Sequence, residues 1–519
     1  MPIATLCPVV QVDWNNDGSF AGVYDTVTAD VMAAPGVSID TGRDASLALN
    51  PPKVPALDFE LANATGKYSN ESAASPLYQT IRPGAPVNVA TDFGPQQQYR
   101  THTLYRDHTY YRGRGRWQIA STRISSIRQQ AVRGTTDQQR LAIQSLGASG
   151  AMLAKPINVP LSPNIRTDQA VGLVLDAAGW PTSLRSIGLG DATFTYYWVD
   201  ERSAWDALVE ITKSEGPAVF YEDAAGVLHW EGRSYRSGAA RSTTPQASLF
   251  DTAAAAAAAG GLTFQSFEYQ PGWDTIYARA TYATKRRAVG TAGTTIWKYG
   301  SDITLASNEQ RTLYARPSDP YDTAQLQYTI ASGSATVDAT YDSGFLVILN
   351  LQAGGSGAVI RGPVTDLVGG LQVTGRPYTV ASETIAQSSI DPSDSVAAYG
   401  SLHTLDVGGW PEMDPGMAAG VCDAWVRRYR VARPKVIVGV RASDAPTLEQ
   451  VVQREVSDRI TVTETNTGLA RDLWIEGRKL VMAGPGGQQL EAQWTCEVTS
   501  EIVGSRWESG LWDSATWGD

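Results

Sequence analysis

Residues 57–61 read Leu-Asp-Phe-Glu-Leu, with an apolar side chain at every second position. That period of two suits a strand with one buried face. A helix would scatter Leu57, Phe59 and Leu61 around its circumference. The same grammar runs through the first 135 residues. Asn63-Ala-Thr-Gly66 supplies turn chemistry, Pro83-Gly84 opens the next run, and Val87 and Val89 alternate again. A chain written this way must pair strands. Its 519 residues also exceed what one core can organise and fit about three or four domains.

The middle of the chain changes period. TDQAVGLVLDAAGWP (167–181) places Val171, Val174, Leu175 and Ala178 on one helical face, with Thr167 as N-cap, Gly179 past the end and Pro181 as a stop. ERSAWDALVEITKSEGP repeats the pattern, with Ser203 and Asp206 as a capping pair and Gly216-Pro217 as terminator. AVFYEDAAGVLHWEGR (218–233) reads as a hairpin. The alanine run at 253–259 is either a short helix or a linker. Strand patterns return from Leu262, including FLVILNLQ (345–352), VIVGV (436–440) and RITVTET (459–465). One later helix is expected, with Met417, Val421, Ala424, Trp425 and Arg428 at helical spacing after Pro415.

Charge and cysteine content narrow the function classes. The net charge is −11, which argues against a general nucleic-acid binder. Cys7, Cys422 and Cys496 form no CxxC pair and read as small buried residues, in keeping with a reducing compartment. The start lacks the pattern of a secretory signal, and no apolar run approaches a membrane span. The four histidines are scattered, with no HExxH, GxSxG or Walker loop, so no catalytic constellation is expected.

Three stretches carry candidate sites. Asp13, Asn15, Asp17 and Gly18 fit the start of a calcium loop, although Tyr24 stands where a bidentate Glu is expected. The rival reading is a polar turn whose Asx side chains cap backbone groups. From Arg100 to Arg133, eight arginines face one acid, with Tyr and Trp interleaved. Nucleic-acid groove, subunit interface and solvated strand face stand open. In an acidic chain the interface reading comes first, with Arg112, Arg114, Arg116 and Trp117 as its residues. At the far end, Trp507, Trp512 and Trp517 lie five apart, a spacing that fits neither one helix face nor one strand face. With Leu511 they are expected to anchor a partner or neighbouring subunit.

VQVDWNNDGSF, VSIDTGRDASL, ALDFELANATGKYSN, SPLYQTIRPGAPVNVATDFG and TYYRGRGRWQIAS, in that order, resemble the opening of the minor tail proteins of long-tailed bacteriophages, the baseplate-hub family. The matching positions are Gly42-Arg43, the turn with Asn63, Gly66, Tyr68 and Ser69, the start Arg82 to Val87, and Tyr111 to Gly113. Later segments, among them YYWVDERSAWDALVEI and RYRVARPKVIVGV, continue the likeness over most of the chain.

The resemblance implies a mainly β, α+β multidomain fold: two tail-tube-like β-barrels, a helix-bearing α/β domain and a small β insertion. Residues 1–135 would form the first barrel and 136–240 the helix-bearing α+β domain. Residues 241–320 would begin the second barrel, 321–384 form the insertion, 385–504 complete the barrel with one helix, and 505–519 be the Trp-rich tail. It implies a structural tail-tip hub, a homotrimer rather than an enzyme. The hub would join the distal tail protein, the tape measure protein and tail fibre or tip proteins, and line the path of genome DNA. Its place would be the tail tip of a virion assembled in the bacterial cytoplasm, with no stable membrane insertion and no cofactor beyond the calcium reading. A tail-associated cell-wall or polysaccharide hydrolase and a receptor-binding module are the alternatives.

Overall fold

The structure is a computed structural model of the chain. It describes all residues except 1–4, 7, 44–49, 92, 95–116, 131–138, 273–274, 323–325, 330–334, 343–345, 354–355, 357, 361–370, 390–399, 401, 485–488 and 500–519. The fold is mainly β.

The first 150 residues contribute six strands to the largest sheet: β1 (Val9–Val12), β2 (Val37–Gly42), β3 (Lys53–Ala62), β4 (Pro86–Thr91), β5 (Trp117–Gln130) and β6 (Arg140–Gly147). Their order is β2-β3-β6-β5-β4-β1. The alternation at 57–61 is realised in β3, where Leu57 and Leu61 are fully buried and Phe59 is nearly so. Pro83-Gly84 turns the chain into β4, and the Gly84 amide donates to Ile124 O at 2.7 Å.

A two-stranded sheet and the helices that pack beside it follow. β7 (Pro156–Arg166) pairs antiparallel with β8 (Thr193–Ser203). Helix α1 (Thr167–Ala177) lies between them in sequence, and α2 (Ala204–Glu215) follows β8. Ser203 caps α2, its hydroxyl accepting the Asp206 amide at 3.0 Å. Thr167, expected as the cap of α1, is instead its first residue and is buried; Arg166 occupies the cap position. The Thr167 hydroxyl is drawn inward to donate to Glu215 at 2.6 Å, which a surface cap could not do. The expected hairpin forms from β9 (Val219–Glu222) and β10 (Leu228–Glu231). The alanine run resolves as a helix, α3 (Ala253–Ala259), behind the strand β11 (Ala247–Phe250).

Strands β12 (Ser266–Gln270) and β13 (Arg279–Val289) come next, and β13 pairs with β14 (Tyr378–Ser389). Between Val289 and Tyr378 the chain builds small sheets around a separate core of Ile303, Leu305, Val347, Leu349, Leu351 and Val373. Helix α4 (Pro415–Tyr429) is capped by Asp414, whose carboxylate accepts the Gly416 amide at 2.8 Å. It packs with α1, α2, β8 and β13 into a second core that includes Val171, Phe194, Leu208, Tyr282 and Trp425. Then come β15 (Lys435–Arg441), α5 (Ala445–Gln453), β16 (Arg459–Glu464), β17 (Leu469–Ala483) and β18 (Gln489–Val498). Helix α5 is not among the expected elements, although Asp444 before Pro446 is a start signal and does cap it.

The two expected tail-tube-like barrels do not appear as closed sheets among the described residues. Among the described residues no sheet closes, and strands from both expected barrels belong to one 13-stranded sheet. The 15-residue β17 is the reason. Along one edge it bonds two strands in series: β16 over its first half (Glu464 opposite Leu469) and β2 over its second (Val37 opposite Met482). Its other edge is taken by β18, which continues to β15 and β12. Leu57 and Phe59 from one end of the chain therefore share a core with Val438, Leu480 and Trp494 from the other. Among the described residues no helix is long and apolar enough to cross a membrane.

Candidate functional site

The register of β17 against β18 slips between Ile475 and Gly477, and that of β2 against β3 slips between Asp40 and Gly42. These two irregularities lie side by side, because Gly42 is the partner of Gly477. Gly42 has φ +89°, and a Cβ there would lie 2.5 Å from Glu476 O; a Cβ on Gly477 would lie 2.6 Å from Arg43 O. Only glycine tolerates both approaches. The consequence is that Arg43 and Glu476 are delivered to one point, both buried.

Glu476 is the centre of an internal ionic junction. Its carboxylate accepts Arg43 Nε at 2.7 Å, Arg236 Nη2 at 3.1 Å and Arg428 Nη2 at 3.2 Å, and Arg236 Nη1 binds its other oxygen as well. Arg428 spans to Glu497, which also receives Arg433. Arg236 Nε donates to Ser457 at 3.0 Å, and Ser457 donates in turn to Glu231. Arg241 pairs Asp458 at 3.1 Å, Arg454 pairs the same carboxylate at 3.3 Å, and Arg478 pairs Glu455 at 3.0 Å. The Arg43 guanidinium reaches further, donating to Ala218 O at 3.1 Å.

The junction draws on β2, the loop after β10, α4, the turn before β16, and β17 and β18, pieces up to 454 residues apart in sequence. Charges buried this deeply persist only when paired and hydrogen-bonded. Burial alone pushes the Glu476 carboxyl up, but Arg236, Arg43 and Arg428 outweigh it and hold it well below the usual carboxylate range. Glu497 is likewise held down by Arg428 and Arg433 against its burial. At Glu231, Glu455 and Asp458 burial wins over the neighbouring arginines and the carboxyls are raised.

The sign of the pH dependence follows. A lowered folded value stabilises above the unfolded one, so the contributions of Glu476 and Glu497 are complete above about pH 4.3 and are lost as pH falls through the folded values. The raised groups act oppositely, contributing below that point and losing it as pH rises. Glu476→Gln should therefore flatten the fall in stability below about pH 4.3, read from urea midpoints at successive pH values. A slope equal to wild type would show that Glu476 does not titrate below the ordinary range.

Two further carboxylates act as clamps on backbone amides. Glu215, at the end of α2, accepts Thr167 Oγ1, Asp191 N at 2.8 Å, Ala192 N at 3.0 Å and Arg233 N at 3.2 Å. Glu222 accepts Ala148 N and Ser149 N, each at 2.9 Å, tying the hairpin to the end of β6. Asn63 and Tyr68 close their turn reciprocally, at 3.0 and 2.8 Å, and Tyr68 donates its hydroxyl to Asp30. The short motifs of the N-terminal half thus serve as joints and turns.

In the loop after β1, Asp13 is buried and its two oxygens accept Asp17 N at 3.2 Å and Gly18 N at 2.9 Å, while Asp17 accepts Ser19 N at 2.9 Å. These carboxylates are engaged by the loop's own amides, the Asx-turn arrangement. Asn15 is exposed beside them. Among the described residues no group of three His, Cys, Asp or Glu side chains is placed to hold a metal. Trp117 is half-buried at the start of β5 and packs on the main core, whereas Arg112, Arg114 and Arg116 lie outside the described residues. Trp507, Leu511, Trp512 and Trp517 lie outside them too. Cys422 and Cys496 are buried free thiols, and burial pushes Cys422 up to about 11.

The family resemblance singled out Gly42-Arg43 but not its partners. The available signal was a charge inside an apolar strand, Leu473-Trp474-Ile475-Glu476, and an arginine on an apolar helix face, Arg428 one turn from Trp425.

No family model matches the sequence, and no curated protein does. Solved structures are similar over nearly the whole chain at low identity. A tail protein from Neisseria meningitidis shares 12% identity at a TM-score of 0.46, covering 95% of this chain and 96% of that one. The 43 kDa tail protein of prophage MuSo2 from Shewanella oneidensis shares 10% at 0.48, covering 95% and 98%. Prophage tail protein gp18 from Listeria monocytogenes shares 7% at 0.40, covering 96% of each chain. Two of these are named as prophage tail proteins and one as a tail protein.

Proposed function

We propose that this chain is a structural hub subunit of a phage tail tip, joining the tail tube and distal ring above to tip and fibre proteins below. The observation that carries the reading is the ionic junction. It spends the chain's internal charge on fixing distant segments to one another, and each of its carboxylates is taken up by arginine. A rigid connector needs such joints; a hydrolase needs carboxylates free to meet substrate. The sequence resemblance supports the same reading.

In this proposal three copies assemble around the path of tape measure and genome, and the acidic balance discourages DNA from adhering. Native mass of the purified protein is expected to be that of a trimer, and a monomer at micromolar concentration would overturn the assembly. Reversing Arg112, Arg114 and Arg116 to Glu should shift the trimer toward monomer if that segment faces a neighbour, as sedimentation would show. Clearing of host cell wall in a zymogram would favour the hydrolase instead.

A further inference from the structure

Residues 290–377 leave the body and return to it at one place. Val289 is the register partner of Tyr378, and the Gly290 amide donates to Pro377 O at 2.7 Å. Among the described residues, the apolar core around Ile303, Leu349 and Val373 shares no side chain with the two larger cores. Charge ties this arm to the body at two points.

The inner point is Arg287. The register of β13 against β14 slips between Arg286 and Arg287. On the body side of that bulge, Arg287 Nε donates to Glu412 at 2.8 Å and the guanidinium lies 5.0 Å from the centre of the Trp198 ring. Its Nη1 reaches the arm and donates to Asp319 at 2.8 Å. The outer point is a second bulge. The register of β8 slips between Val199 and Arg202, Glu201 takes φ +44°, and its amide donates to Asn158 Oδ1 at 2.9 Å. There Arg316 of the arm pairs with Glu201 and lies 3.8 Å from Asp200. A bulge breaks ladder hydrogen bonds and re-aims side chains, and here two of them face charge across one seam.

The two points also show what opening would cost. The Arg287 side chain is 9% exposed and that of Glu412 is 1% exposed, so this pair stays with the body. Asp319, Arg316, Asp200 and Glu201 are each about a third exposed or more and can turn to water. Separation therefore strands no buried charge. We propose that residues 290–377 form a hinged arm, latched in one stance by Arg287–Asp319 and by Arg316 with Asp200 and Glu201. When those pairs open, the arm swings about the crossing at Val289 and Tyr378, where the Tyr378 amide donates to Pro320 O at 2.8 Å. Exposed ion pairs are weak and screened by salt, so the stance responds to ionic conditions in a way that an apolar seam would not. The inference holds whether or not the chain is a tail-tip hub.

Pulsed electron resonance on the full-length protein tests it, with one nitroxide on the arm at Ser301→Cys and one on the body at Ser183→Cys. Both serines are exposed, Cys422 and Cys496 are buried, and Cys7→Ser removes the remaining thiol. At low salt the labels should give one narrow distance distribution. Arg316→Ala/Asp319→Asn should widen it about twofold without moving the urea midpoint. The unlatched width should also appear without these substitutions in 1 M salt, where the Debye length is about 3 Å. Lys285→Ala removes an exposed pair with Glu383 on the same hairpin and should leave the distribution narrow. A latch variant as narrow as wild type overturns the proposal, and so does a wild-type distribution already broad at low salt. Equal widening in Lys285→Ala assigns the effect to a loosened hairpin and overturns it too. If the latch variant fails to fold, the salt series decides: an unchanged distribution overturns the latch.

Discussion

Glu476→Ala is expected to lower the stability of this protein by roughly 3–5 kcal/mol, the cost of removing one partner from a buried ion group. The magnitude comes from what remains. Arg43, Arg236 and Arg428 all aim at the missing carboxylate, and each is at most 9% exposed. None can turn to water without opening the sheet or the helix that carries it. The loss should appear as a lower urea midpoint, and it should exceed that of Lys53→Ala, which breaks an exposed pair expected to contribute under about 1 kcal/mol. A Glu476→Ala midpoint within experimental error of wild type would show that the junction is not what binds the segments. Pairing Glu476→Ala with Arg43→Met offers a sharper check. If the charges are coupled, the double variant should be less destabilised than the sum of the singles.

Trp425→Ala should cost about 3–5 kcal/mol by a different route, the cavity left by a large buried ring. Trp425 is 1% exposed and stacks on Tyr429 with ring centroids 5.8 Å apart. It lies on α4 one turn before Arg428, so slack in the helix also loosens the arginine that bridges Glu476 and Glu497. The two predictions separate through pH. The Glu476 effect should shrink as the wild-type carboxylate is protonated below about pH 4.3, while the Trp425 effect is apolar and should not. Retention of the wild-type midpoint in Trp425→Ala would mean that the second core repacks around the void.

Much of the local structure was legible in the residues. The alternation in 57–61, the cap at Ser203 and the hairpin at 218–233 all stand as read, because each is a contact between near neighbours. Thr167 was misplaced as a cap because its real partner, Glu215, is 48 residues away and invisible to local patterning. Helix α5 was missed because its apolar residues Leu448, Val451 and Val452 fill little more than one face of nine residues, too short a pattern to stand out. The two barrels were expected only from the family resemblance, not from any residue pattern. Here their strands meet across β17 instead.

The sequence alone determined the period of most strands and helices and that the chain is acidic, and the family resemblance singled out Gly42-Arg43. Those are properties of neighbours along the backbone, where dihedral preference and side-chain period act directly. Only the tertiary structure decided that Arg43 meets Glu476, that both halves share one sheet, and that Arg236 and Arg428 converge on the same carboxylate. Such contacts join residues hundreds of positions apart. They are set by strand register, and a register has no local signature until its partner strand is in place.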